Sequence, residues 1–333
     1  MATAFIKKSL FSIGIIFLFS ASNANAIEMA VTIDDLPGPV VVSQNITALD
    51  VTKQMLSVFD KHNIKGVYGF MTAYAIRPDP NDKQILKQWV LRGHLLANHT
   101  FSHANLSKVR IWQYMDDIEL NEYYLSPLMI GKDYKYFRYP FSEEGSNKQT
   151  HDIIYNFLLD EHYQIAYITL NFNDYLWGNA YARCLHNNDK KSIYLLKKSF
   201  LDEAINAIVI DEKISQQLFG RQIKFILLLH FQMIDAAMLD QLLTAYEAMG
   251  VKFIPLSAAL NDDVYQVPVN HARKLLPRQT RLSKFSLLDA LQHKYIYMLA
   301  SGVSGQVFPL DIYRQVLGQY QKPPAVKLDS ICR

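Results

Sequence analysis

The chain has 333 residues, half of them hydrophobic and one-fifth charged, with a formal net charge of +3. That length and apolar content support one large domain, or a domain with an appendage, and exclude disorder as the main state. So small a net charge gives no ground for nucleic-acid binding. Two cysteines are too few to scaffold a chain of this size, and whether Cys184 and Cys332 pair is left open.

In chain order, the first residues read as a secretory signal. Lys7 and Lys8 form the charged start, residues 10–19 the apolar stretch, and Ala24-Asn25-Ala26 a small-residue cleavage site. The apolar stretch is shorter than the roughly 20 residues of a spanning helix. A cleaved signal peptide over 1–26 is therefore expected, with the protein periplasmic or secreted and no transmembrane anchor left. From Glu28 onward, strand-like runs at 29–33, 66–71, 95–98, 136–138, 165–169, 225–229 and 253–255 alternate with stretches of helical period at 47–62, 82–92, 149–161, 192–218 and 236–249. Leu49, Met55, Leu56 and Phe59 make the first helical stripe, and Gly250 stops the last helix. Such alternation indicates β/α units around a mainly parallel sheet or barrel. After Asp263 the helices no longer pair with strands. Residues 264–333 read as a basic, mainly helical extension carrying Arg273, Lys274, Arg278, Arg281, Lys284 and Lys294, with helices at 286–300 and 310–318. A basic face there would suit peripheral contact with anionic envelope components, although a solvated helical face is the commoner use of such charge.

Chemistry-bearing residues gather at the carboxyl ends of the strand-like runs, where parallel β/α architectures build their sites. Asp34-Asp35 ends the first, His99 and His103 follow the third, Arg138 the fourth, Asp174 the fifth and His230 the sixth. Two imidazoles four residues apart, joined by one carboxylate and leaving coordination positions open, form a catalytic-metal pattern.

Five motifs in this order resemble those of the polysaccharide deacetylases of the NodB-homology type, carbohydrate esterase family 4. They are Thr32-Ile33-Asp34-Asp35, His99-Thr100-Phe101-Ser102-His103, Arg138-Tyr139-Pro140-Phe141, a partial match at Asn171-Phe172-Asn173-Asp174-Tyr175, and Leu228-Leu229-His230. The resemblance implies a distorted (β/α) barrel of about seven parallel strands over 27–263. It implies that Asp35, His99 and His103 hold a metal ion, zinc first and cobalt or nickel by geometry. It further implies that Asp34 is the base that takes a proton from the attacking water, that Arg138 offsets the adjacent carboxylates, and that His230, oriented by Asp174, protonates the leaving group. Pro140, Phe141, Tyr175, Trp177 and Leu228 would line the acetyl pocket, with the Phe141 backbone N–H as an oxyanion donor.

The expected activity is removal of N-acetyl groups from an extracytoplasmic amino-sugar polymer, peptidoglycan or chitin-like. Nothing in a metal triad separates amide from ester, so O-acetyl ester hydrolysis on a glycan such as xylan is an alternative. A catalytically weakened glycan-binding protein on the same fold is another. Asn171 and Tyr175, which stand where the family has aspartate and tryptophan, favour that last reading; the retained Asp34, Arg138 and His230 oppose it.

Overall fold

The longest strand, β1 (Ile27–Leu36), sets the frame of the computed structural model, which describes residues 26–38, 46–76, 82–265 and 326–333. Its residues divide with the period of two that a strand imposes. Met29, Val31 and Ile33 join the large core that includes the surrounding helices, whereas Ala30 belongs to a separate inner cluster with Phe70, Ala97, Ala166 and Ile226. Alanines at three of those inner positions leave room for the sheet to curve.

Six further strands run parallel to one another and to β1: β2 (Tyr68–Met71), β3 (Leu95–Asn98), β4 (Tyr136–Phe137), β5 (Gln164–Ile165), β6 (Phe225–His230) and β7 (Val251–Phe253). Their order is β5-β4-β3-β2-β1-β6, and β7 pairs with the start of β1. A parallel bridge between Leu170 and Leu227 joins the chain leaving β5 to β6 and closes the curve. The architecture is the distorted (β/α) barrel that the sequence led us to expect. Strand β5 is shorter than the predicted 165–169 because the chain bends across the gap there, with the N–H groups of Thr169 and Leu170 both donating to the Ile226 carbonyl.

The strands alternate with α1 (Ala48–Lys61), α2 (Asp82–Leu91), α3 (Ile111–Leu125), α4 (Lys148–Asp160), α5 (Tyr175–His186), α6 (Lys190–Phe219), α7 (Met233–Ala248) and α8 (Leu256–Leu260). A capping box between Thr47 and Asp50 starts α1, which buries Val51, Met55, Leu56 and Phe59. Gly220, at φ 67°, ends the long α6. Neither α3 nor α5 was anticipated. The buried face of α3 is Tyr114, Ile118, Asn121 and Leu125, and the asparagine interrupts what would otherwise read as an apolar stripe.

The signal segment and the helices predicted at 286–300 and 310–318 lie outside the described residues. Residues 326–333 pack against α5. Arg183 Nη2 donates to the Leu328 carbonyl at 2.6 Å, Asn187 Nδ2 to that of Cys332 at 2.9 Å, and Cys332 is disulfide-bonded to Cys184 with 5.1 Å between their Cα atoms. The pairing left open by the sequence is therefore made. Among the described residues no helix is long and apolar enough to cross a membrane.

Candidate metal and acid-base site

Because every strand runs the same way, their carboxyl ends share one rim. Asp34 continues the inward face of Ala30 and Thr32, pairs in register with His230 on β6, and is 3 % exposed. Arg138 reaches it across the barrel from the end of β4. Its Nη1 donates to Asp34 Oδ1 at 2.6 Å and to Thr32 Oγ1 at 2.9 Å, and its Nε to the Ala166 carbonyl at 3.1 Å. The guanidinium carbon lies 4.0 Å from the Phe70 ring centroid, so an aromatic face also backs the charge. Burial raises the pKa of Asp34 above the ordinary carboxylate value, and the Arg138 charge offsets part of that rise. The result is a carboxyl group suited to accept a proton.

Asp35 breaks the strand geometry with φ 70°. Its Oδ1 stands 3.3 Å from His103 Nε2 and 3.7 Å from His99 Nε2, and one donor atom from each of the three residues lies within 4.8 Å of the others. Whether this set suits a metal is decided by the state of the imidazoles. His99 Nδ1 lies 2.8 Å from the Arg138 carbonyl oxygen, and since a carbonyl only accepts, that nitrogen carries the hydrogen and leaves the Nε2 lone pair facing Asp35. Burial pushes the His99 imidazolium down to about 3, which keeps the ring neutral. A neutral imidazole of fixed tautomer, a second imidazole and a carboxylate fit a zinc-type ion.

The segment carrying both histidines is held from below. Asn98 Oδ1 accepts from the Thr100 N–H at 2.9 Å and from Asn121 Nδ2 at 2.8 Å, while Asn98 Nδ2 donates to the Ile118 carbonyl and to Tyr163 Oη. Ser102 N and Oγ both donate to Asp117 Oδ2 at 3.0 Å. These bonds secure Thr100 and His103 in the left-handed region, φ 60° and 55°, which costs non-glycine residues energy and is typical of sites whose surroundings over-determine the backbone. Asn121 and Asp117, both on the unanticipated α3, belong to the support that lies outside the motifs.

On the opposite side, His230 Nδ1 is 2.7 Å from Asp174 Oδ1, and the His230 backbone N–H donates to Asp174 Oδ2 at 2.7 Å. Burial of His230 works against its charged form, but the Asp174 charge and hydrogen bond, helped by Asp35 and Asp34, outweigh it and raise the pKa to about 9. The Asn171 replacement preserves the turn, since Asn171 Oδ1 accepts from the Asn173 N–H at 2.7 Å.

The proposed pocket residues divide. Phe141 is 60 % exposed at φ 59°, its ring centroid 4.4 Å from that of His103, and Tyr175, half exposed, lies edge-on to His230 with centroids 5.6 Å apart. Leu228 is buried two residues below His230 on the same strand face, and Pro140 is buried at the start of the 3-10 turn Pro140–Ser142. Trp177 does not reach the cleft, and its assignment to the pocket is corrected here. It is fully buried, donates from Nε1 to Ser199 Oγ at 2.8 Å and packs on Phe172 and Phe200, because two residues into α5 the side chain turns toward α6. Sequence reasoning missed Asp235, a buried carboxyl in the first turn of α7 that acts on Asp174, because an acidic residue there reads simply as a helix-start preference.

A family model described as polysaccharide deacetylase matches residues 21–157. That segment belongs to the polysaccharide deacetylase family. The deacetylase segment contains Asp34, Asp35, His99, His103 and Arg138, whereas Asp174 and His230 lie beyond it. The chain is 31 % identical to a peptidoglycan-N-acetylglucosamine deacetylase of Bacillus cereus over 135 residues, 40 % of this chain and 44 % of that protein. It is 28 % identical over 113 residues to a chitin deacetylase of Arthroderma benhamiae, 34 % of this chain and 27 % of the relative. The chain thus spans less than half the length of these curated relatives. A solved structure of a CE4 family pseudoenzyme from Bacillus anthracis overlaps with a TM-score of 0.48 at 14 % identity, covering 71 % of this chain and 66 % of that one.

Proposed function

We propose that this protein is a metal-dependent deacetylase that hydrolyses N-acetyl groups on an amino-sugar polymer outside the cytoplasm. The observation that carries the reading is the joint placement, on one rim, of the Asp35–His99–His103 donor set, the buried Asp34–Arg138 pair and the His230–Asp174 pair. The named activities of the curated relatives, on peptidoglycan and chitin, point to the same substrate class. A disulfide between Cys184 and Cys332 accords with an oxidising compartment, as does the signal-like start of the sequence.

Asp35, His99 and His103 would hold the ion, zinc by the chemistry of the donors. When bound, it supplies Lewis-acid polarisation of the acetyl carbonyl and activation of a water. The chain's residues do the rest. Arg138 occupies Asp34 Oδ1, which leaves Oδ2, 3.6 Å from His99 Nε2, as the atom that takes the proton of the attacking water. His230, tied through Nδ1 to Asp174, presents Nε2 as the donor to the leaving amine. The arginine keeps its proton throughout and compensates the adjacent carboxylates. Phe141 and Tyr175 form exposed aromatic sides of the cleft, where an acetyl methyl or a sugar face would pack.

The test is acetate release by purified protein from N-acetylglucosamine oligomers and from acetylated xylan, alongside an Asp34→Asn variant. Release from the amino-sugar oligomers, abolished in the variant with its metal content intact, is the expected result. Release from xylan alone would replace the amide reading with the ester one. No release from either by metal-loaded protein would leave a glycan-binding protein.

A further inference from the structure

Asp174 uses both carboxylate oxygens on His230, one on the ring and one on the backbone N–H. A second carboxyl group lies against it. Asp235, three residues into the chain after the Gln232 N-cap of α7, is 1 % exposed, and its side chain is within hydrogen-bonding reach of Asp174, itself fully buried. Among the described residues no other residue brings an N–H or O–H donor to either Asp235 oxygen, its own backbone N–H being the one that acts on the carboxyl group, and no basic side chain pairs with it. An ionised carboxylate in that position would be a buried charge with a like charge beside it and only its own backbone N–H to offset them, which is costly. The imidazolium of His230 fixes the negative charge on Asp174, so a proton between the two acids belongs on Asp235. A protonated carboxyl is a donor, and the acceptor it lies against is Asp174.

We propose that Asp235 is a positioning residue of the proton-donating pair: its neutral carboxyl group donates a hydrogen bond to Asp174, completing a His230–Asp174–Asp235 chain. This gives a partner to the Asp235 oxygen that faces Asp174, since adding the shared proton turns two facing acceptors into a donor and an acceptor. It also gives Asp174 a third bond, which anchors the carboxylate that aligns the ring and tempers its hold on the imidazolium proton. Asp235 reaches the reaction only through Asp174. The inference rests on the acid role proposed above for His230.

The experiment uses zinc-loaded protein and two variants, Asp235→Asn, which keeps a donor without an ionisable proton, and Asp235→Leu, which removes it. The titration of the His230 ring is followed by NMR, with Asp34, Asp35 and Asp174 the charged groups that face it, and turnover is measured on an N-acetyl substrate and on an activated acetyl ester. With Asp235 neutral, the Asn variant leaves the His230 midpoint unchanged and keeps amide turnover. The Leu variant raises the midpoint and lowers amide turnover about tenfold, the loss of one hydrogen bond to a charged group, while sparing the ester, whose leaving group needs little protonation. A midpoint that falls by about a unit or more in the Asn variant would mean that a negative charge had been removed, and that overturns the proposal. Unchanged midpoints and unchanged amide-to-ester ratios in both variants overturn it as well. If wild-type protein releases no acetate from any substrate, the proposed function fails, and the ring titration still decides the placement of the proton.

Discussion

Replacing Arg138 with leucine would leave the Asp34 carboxylate without its partner at a site where both side chains are almost wholly buried. With charge centres about 4 Å apart and an effective dielectric of about 20, their attraction amounts to about 4 kcal/mol. Removing one member of a buried pair typically costs about 3–5 kcal/mol, a similar figure. The strain has one outlet, protonation of Asp34, whose pKa is already raised by burial. Losing the arginine charge pushes that pKa further up, because the Arg138 charge is what holds it down against burial. The sign follows from linkage. A carboxyl group whose folded pKa exceeds its unfolded value binds more protons when folded, so stability falls as pH rises from the unfolded value near 3.8 to the folded one. Urea unfolding of chelated protein should therefore show a gap between wild type and Arg138→Leu that is small near pH 4 and widens to several kcal/mol by pH 8. The acid limb of the hydrolysis profile should move to higher pH in step. A gap of equal size at both pH values would show that Arg138 acts through its bonds to Ala166 and Thr32 and that its charge does not matter.

Other outcomes follow from the same geometry. A histidine whose folded pKa is raised to about 9 contributes stability that is fully present below its unfolded value of 6.5 and lost as pH rises through 9; Asp174→Asn should thus destabilise most below pH 6.5 and move the alkaline limb of hydrolysis down, and an unmoved limb would detach His230 from the acid role. Trp177→Ala should cost about 3–5 kcal/mol by removing a core aromatic without altering the KM of the folded fraction, whereas Tyr175→Ala should raise KM and leave the melting temperature where it was; the reverse pattern would return Trp177 to the cleft. Cys332→Ser should lose about 2–4 kcal/mol, matched by wild type in reductant, and identical melts with and without reductant would show that the tail does not brace α5.

The residues most legible in the sequence were those whose function is fixed by local spacing at strand ends. His99 and His103 share one loop, Asp34 and Asp35 are adjacent, and the strand period alone sends Asp34 inward. What escaped notice depends on contacts between distant elements. Asn121 occupies an apolar slot of α3 because it must reach Asn98, so the polar residue that braces the site also hid the helix that carries it. Trp177 was placed in the pocket by nearness to Tyr175 in sequence, but the rotation of α5 separates them. Glu144 is buried and paired with His151 at 3.3 Å, a contact across a turn and the start of α4 that composition does not signal.

The most direct test of the account is a zinc titration of chelated protein with bound metal and acetate release from N-acetylglucosamine oligomers measured in the same samples. Release should rise in proportion to occupancy and level off at one zinc per chain, with His103→Ala binding weakly and staying inactive across the range. Acetate release that is indifferent to occupancy, or full zinc binding and turnover by the His103 variant, would contradict the claim that Asp35, His99 and His103 form the working metal site.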